Sequence, residues 1–367
     1  MMKNKILILS FNFLLDYDVI HAGHKYFEIG KLNVFRTMMI FAKLIAICVL
    51  LGTASGQVGN PERVASFNDF PHQVKIHMMY DGLKPEYFQG TGTLVESTVS
   101  GHKHTFVLTA AHLFSPVYYG KDPNRQMFTV KSAAIYYKAS ANAEETREEV
   151  LDWRIHHTFD IFEQHLYWDT RVIDIAVMVL ETPVEGVRTA TLPAPNTGIP
   201  FFERVRFAGY GSTRYNVKSD QILREGTTIL LPFLYCLTFS TDKAERKKTK
   251  QSFVKKREQH LESATQEEID RVERMNREWI CTGPRRMNGP ESVTSYSGKG
   301  DSGCGLFRER HQRDRDVVYG VQMGGLYKGE PGEIQFARPD QWVQVVGVLP
   351  WINATFEELG SIARGNN

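Results

Sequence analysis

The chain predicts an all-β protein, a barrel or a sandwich, and three observations carry that prediction. Apolar and polar residues alternate with period two in short segments: "HQVKIHM" (His72 to Met78), "GTLV" followed by "TFVLTA", "AAIYYKA", "IAVMVLE", "RVRFAGYG", "TTILLPFL", "VVYGVQM" and "EIQFARP". Such alternation sends successive side chains to opposite faces, the pattern of half-buried strands. Turn residues separate the segments at Asp81-Gly82, Pro195-Asn196, Gly211-Ser212 and Pro331-Gly332. Many short strands at this spacing are the mark of barrels and sandwiches, and no repeat period is visible.

Before the strands comes "MMIFAKLIAICVLLGTASG" (Met38 to Gly56), which has the layout of a secretory signal. Lys43 closes a short basic region, Leu44 to Leu51 form an apolar core, and Ala54-Ser55-Gly56 offers small residues for cleavage. The apolar run is short for a bilayer span, which favours cleavage and secretion over a signal anchor with a short cytoplasmic tail. Residues 1–37 look like neither a domain nor a signal, so Met38 or Met39 is the expected start. The expectation is an upstream extension and signal over 1–56 and an extracellular mature chain over 57–367 with no membrane span.

Two segments read as helix. "DQWVQVVGVLPWI" carries Trp342, Val343, Val345, Val346, Val348 and Trp351 and predicts a C-terminal helix over about 340–358. The long charged stretch over 241–279 contains a capping box, Thr265-x-x-Glu268, before Ile269, Val272, Met275 and Trp279 at helical spacing. Its first half, Lys243 to Arg257, is rich in lysine and arginine. It reads either as a solvated, protease-sensitive excursion or as a docking patch for a polyanion.

A chain of 367 residues has room for two domains and a sizeable core. With 42% hydrophobic and 23% charged residues the composition is that of a soluble globular protein. A net charge of +2 gives no reason to expect nucleic acid or membrane as the main partner. Signal cleavage removes Cys48 and leaves Cys236, Cys281 and Cys304, enough for one disulfide in any of three pairings.

Three residues carry chemistry. His112 ends the apolar run of "FVLTAAHLF", where a lone histidine is usually structural. Asp174 opens "DIAVMVLETPV", by itself an ordinary strand-entry carboxylate. Ser302 lies in "YSGKGDSGCGLF", a glycine-rich turn that either reverses the chain or exposes a hydroxyl beside free backbone N–H groups.

Together, in the order His112, Asp174, Ser302, the segments "LTAAH", "DIAVMVL" and "GDSG" resemble the hallmarks of the trypsin/chymotrypsin-like serine proteases. Supporting matches run from about Phe70 to Ile352: "DFPHQVKI", "GTGTLV", "FAGYGST", "ILLPFLYC", "WICTG", "YGVQMGG" and "WIN". The resemblance implies two packed six-stranded antiparallel Greek-key barrels, over about 57–190 and 191–340, with a charged helical insertion in the second and a C-terminal helix. It implies a serine endopeptidase acting on protein or peptide substrates, open to a protein inhibitor, and needing no cofactor or metal. Ser302 would be the nucleophile, His112 the base, Asp174 its orienting carboxylate, and the Gly300 and Ser302 amides the oxyanion donors. A catalytically weak or inactive homologue that binds a protein partner is the alternative.

The chain departs from that family in several places. By family position Cys236 and Cys281 would pair across the second barrel, whereas Gly90, Leu113 and Gly298 occupy places where relatives often carry further cysteines. Cys304 replaces the second glycine of "GDSGGP" and reads as a small buried hydrophobe. Tyr296 stands six residues before the serine, where trypsin-like relatives have aspartate, so cleavage after Arg or Lys is not implied. Met323, Gly324 and Gly325 would line the pocket wall. Asp301 would pair with the mature N-terminal amine. No "R-IVGG" occurs and Arg63-Val64 lies too near Phe70-Pro71, so Gln57 or Val58 is the expected donor. Asn353-Ala354-Thr355 is a glycosylation sequon.

Overall fold

The computed structural model describes residues 64–66, 68–83, 86–119, 126–161, 172–212, 219–233, 273–274, 277–283, 297–308, 316–327 and 337–365. The first half of this set supplies β1 (Gln73–Tyr80), β2 (Tyr87–Val99), β3 (His102–Thr109), β4 (Val117–Tyr119), β5 (Gln126–Phe128), β6 (Val130–Lys138), β7 (Glu145–Ile155) and β8 (Ala176–Leu180). Six of these close into an antiparallel barrel in the order β1-β2-β3-β8-β7-β6, and β4 and β5 form a separate ribbon. The second half supplies β9 (Arg204–Gly209), β10 (Arg224–Pro232), β11 (Trp279–Gly283), β12 (Gly305–Arg308), β13 (Val318–Tyr327) and β14 (Ala337–Gln344). These close a second antiparallel barrel in the order β10-β11-β14-β13-β12-β9.

The alternation in the sequence explains how each barrel is filled. In β8 every residue is buried, because the two faces meet different cores. Ala176, Met178 and Leu180 join Val74, Ile76, Leu94 and Val107 in a cluster confined to the first barrel. Val177 and Val179 join Phe106 and Leu108 in a cluster that also takes Val321 and Val343 from the second barrel. A third cluster, including Val205, Phe207, Leu230, Ile280, Leu306 and Trp342, belongs to the second barrel alone. Each such side chain contributes roughly 1.5–3 kcal/mol on burial, so the layer shared by both barrels anchors one to the other.

The C-terminal helix, α1, runs from Val345 to Gly365, not from 340 to 358. Asp340, Gln341, Trp342 and Val343 are instead the part of β14 that pairs with both β11 and β13. From Asp340 on, β14 contributes only Trp342 and Val343 as apolar residues before the helix's own Val345, a stretch too short for periodicity to separate strand from helix. Past Val345 the buried positions Val348, Leu349, Ile352, Phe356, Leu359 and Ala363 follow true helical periodicity. Phe356 stacks on Phe106 with ring centroids 4.0 Å apart, and Asn353 is exposed. Lys243 to Arg257, and nearly all of the stretch read as a helical insertion, lie outside the described residues.

Candidate active site

Three loops at barrel strand ends carry the chemical side chains. His112 sits in a short 3-10 helix, Ala111–Phe114, immediately after β3, with Ala111, Leu113 and Phe114 buried beneath it. Asp174 immediately precedes the Ile175 that leads into β8, and is itself buried. Ser302 lies in the turn before β12.

The turn needs its glycines. Gly300 has φ +101°, and a Cβ there would lie 2.9 Å from the Phe88 ring. Gly303 has φ +88°, and a Cβ there would lie 2.1 Å from Thr109 Oγ1. Both positions demand a backbone that only glycine adopts without strain, in a space only glycine fits.

The structure brings all three residues together. His112 Nε2 lies 2.9 Å from Ser302 Oγ, and His112 Nδ1 lies 2.7 Å from Asp174 Oδ2. The backbone N–H of His112 also donates to Asp174 Oδ1 at 2.8 Å. With Nδ1–H donating to the carboxylate, Nε2 is left to accept the serine proton. Burial works to lower the His112 pKa, but the charge and hydrogen bond of Asp174 outweigh it, so the imidazole sits above its ordinary value.

Asp301 is buried and accepts from two backbone amides, Gly211 N–H at 2.8 Å and Gly298 N–H at 2.6 Å. Burial pushes its carboxyl up to about 6 against the lowering effect of those two donors. The expected N-terminal partner, Gln57 or Val58, lies outside the described residues. Among the described residues, no acceptor takes the N–H of Gly300 or of Ser302.

Other predicted positions fall as follows. Met323 is buried in the cluster shared by the barrels, Gly324 pairs with Gln341, and Gly325 pairs with Asp340. Tyr296 and Cys236 lie outside the described residues. Cys281 is buried in β11, and Cys304 is a free, buried cysteine whose thiol burial pushes far up.

Two antiparallel six-stranded barrels closed in these strand orders, followed by one C-terminal helix, decide the architecture. The fold is chymotrypsin-like. A solved structure titled "Structure of GrC" is similar over 82% of this chain and 98% of its own, with a TM-score of 0.47 and 19% identity. No family model and no curated protein matches the sequence.

Sequence reasoning missed two residues that this chymotrypsin-like frame places beside the serine turn. Thr91 in β2 donates its N–H to Ser302 O at 2.9 Å and its hydroxyl to Gly300 O at 2.9 Å. Its hydroxyl also accepts from Tyr210 N–H at 3.1 Å. Thr91 thereby ties the turn of one barrel to a strand of the other. A polar residue between two glycines in "GTGTLV" was the available signal. The second is Asp340, buried in β14 with Oδ2 accepting from Ser297 N–H at 2.8 Å. An aspartate at the apparent start of a helix looks like an ordinary first-turn acid, which hid it.

Proposed function

We propose that this protein is a secreted serine endopeptidase that cleaves peptide bonds through Ser302, His112 and Asp174. The carrying observation is the unbroken relay Ser302 Oγ–His112 Nε2, His112 Nδ1–Asp174 Oδ2 at hydrogen-bond distances. Ser302 Oγ attacks the substrate carbonyl as Nε2 takes its proton. The tetrahedral oxyanion is met by the N–H groups of Gly300 and Ser302. As it collapses, the imidazolium returns the proton to the departing amine and an acyl-serine remains; water then repeats the steps and frees the acid. Asp174 holds the imidazole in the required tautomer and stabilises its cation.

The reading also pairs Cys236 with Cys281. Cys281 is disulfide-bonded and Cys304 is free, which supports the pairing that the resemblance implies.

A fluorophosphonate probe tests the function directly. The folded secreted chain is expected to be labelled, with labelling abolished in Ser302→Ala. Folded protein that resists the probe would favour the non-catalytic homologue that only binds a partner.

A further inference from the structure

Asp340 is a buried carboxylate with no part in the relay, and its surroundings are half satisfied. Its Oδ2 takes the N–H of Ser297, five residues before Ser302, whereas its Oδ1 is buried with no hydrogen-bond partner. The Ser297 hydroxyl accepts from Gln322 Nε2 at 2.6 Å, and Gln322 Oε1 is likewise buried without a partner. Two orphan acceptors thus flank Ser297.

The location is specific. Gln322 O accepts from Gly303 N–H at 2.8 Å, so β13 runs alongside the serine turn. Two and three residues further on, Gly324 and Gly325 pair with Gln341 and Asp340. Asp340 therefore lies opposite Gly325, one of the glycines that the resemblance assigns to the pocket wall. Buried polar atoms cost roughly 1–3 kcal/mol each when unpaired, more for a charge.

We infer that Asp340 forms the acidic floor of the substrate pocket and selects arginine or lysine at the residue preceding the cleaved bond. A guanidinium or ammonium group brings several N–H donors and a positive charge, which is what the free oxygens of Asp340 and Gln322 lack. The acid comes from β14, not from the position of Tyr296, so the aspartate absent there is supplied from a different strand. Burial raises the empty-pocket pKa of Asp340 to about 8, opposed by its hydrogen bonds from Ser297 and reinforced by the neighbouring Asp301. A bound cation reverses that bias and holds the carboxylate ionised.

This inference rests on the proposed peptidase only for the identity of the cleaved bond, so the test separates the two. Binding of p-aminobenzamidine, followed by its fluorescence, is measured on the secreted chain carrying Ser302→Ala, which needs no nucleophile. Saturable binding, competed by benzamidine and not by neutral benzamide, is expected. Adding Asp340→Asn should weaken it on the order of tenfold to a hundredfold, the range for losing a charged hydrogen bond. Equal affinity for the cation and the neutral analogue, or binding indifferent to Asp340→Asn, overturns the inference. Should the Asn variant fail to fold, the cation-against-neutral comparison on the parent decides alone. Amidine binding without probe labelling at Ser302 would keep the pocket and lose the enzyme; labelling without amidine preference would do the reverse.

Discussion

His112 can take the serine proton only while Nε2 is unprotonated. Because Asp174 lifts the imidazole above its ordinary value of 6.5, the reactive neutral form is reached only as pH rises past that raised value. The probe-labelling rate of Ser302 should therefore climb through a pKa above 6.5 and fall away on the acid side. Asp174→Asn removes the charge that lifts it, so the midpoint should move to lower pH. By the pattern of such relays the limiting rate should also drop by roughly 10⁴-fold. A pH profile recorded on both proteins checks this, and an unchanged midpoint in the variant would count against the assigned roles. At this scale the sequence was informative about residue types and order. It could not reveal that residues 62 and 190 positions away in the chain meet His112, because no local period encodes a contact between separate loops.

Strand β2 does more than fill its place in a sheet. Through Thr91 it holds Gly300 and Ser302 from the opposite barrel. Thr91→Val keeps the shape but leaves the Gly300 carbonyl and the Tyr210 N–H without the hydroxyl, a loss of about 1–3 kcal/mol. Urea unfolding should show that drop, and labelling of the folded variant should slow because the turn is less firmly held. Thr91→Ser should retain both properties; a valine variant as stable and as reactive as the parent would remove Thr91 from this role. Legibility varied among elements. The apolar strands β1, β3 and β8 were plain from alternation. Strand β7 was not, because only Val150 in it is buried and its exposed residues, Glu145, Thr146 and Arg147, are all polar. It is held by pairing with β6 and β8 and by ion pairs such as Lys75–Glu145 and Arg147–Glu86, none of which leaves a periodic trace.

Across the whole molecule, the second barrel carries buried acid. The carboxyl of Asp301 is raised to about 6 and that of Asp340 to about 8, both chiefly by burial. A raised carboxyl favours the folded state at low pH, and that contribution is lost as pH climbs through the folded value. Two exposed pairs act oppositely. Hydrogen bonds from Arg147 and Arg224 hold Glu86 and Asp220 below their usual values, so their support disappears in acid. Comparing the ligand-free parent with Asp340→Asn cancels those terms. The variant's relative stability should grow between about pH 4 and pH 8, by an amount on the order of a few kcal/mol. Urea midpoints across that range check it, and a difference independent of pH would contradict the buried state of the Asp340 carboxyl.

From the sequence alone came the all-β class and the places of most strands, because alternation and turn chemistry are local properties of the chain; the three residues of the relay came from the resemblance of their segments to a known family. Closure of the barrels, the start of the helix at Val345 and the position of Asp340 were decided by tertiary structure. A strand buried on both faces, like β14, and a carboxylate turned inward beside a glycine differ from a helix start only in what surrounds them.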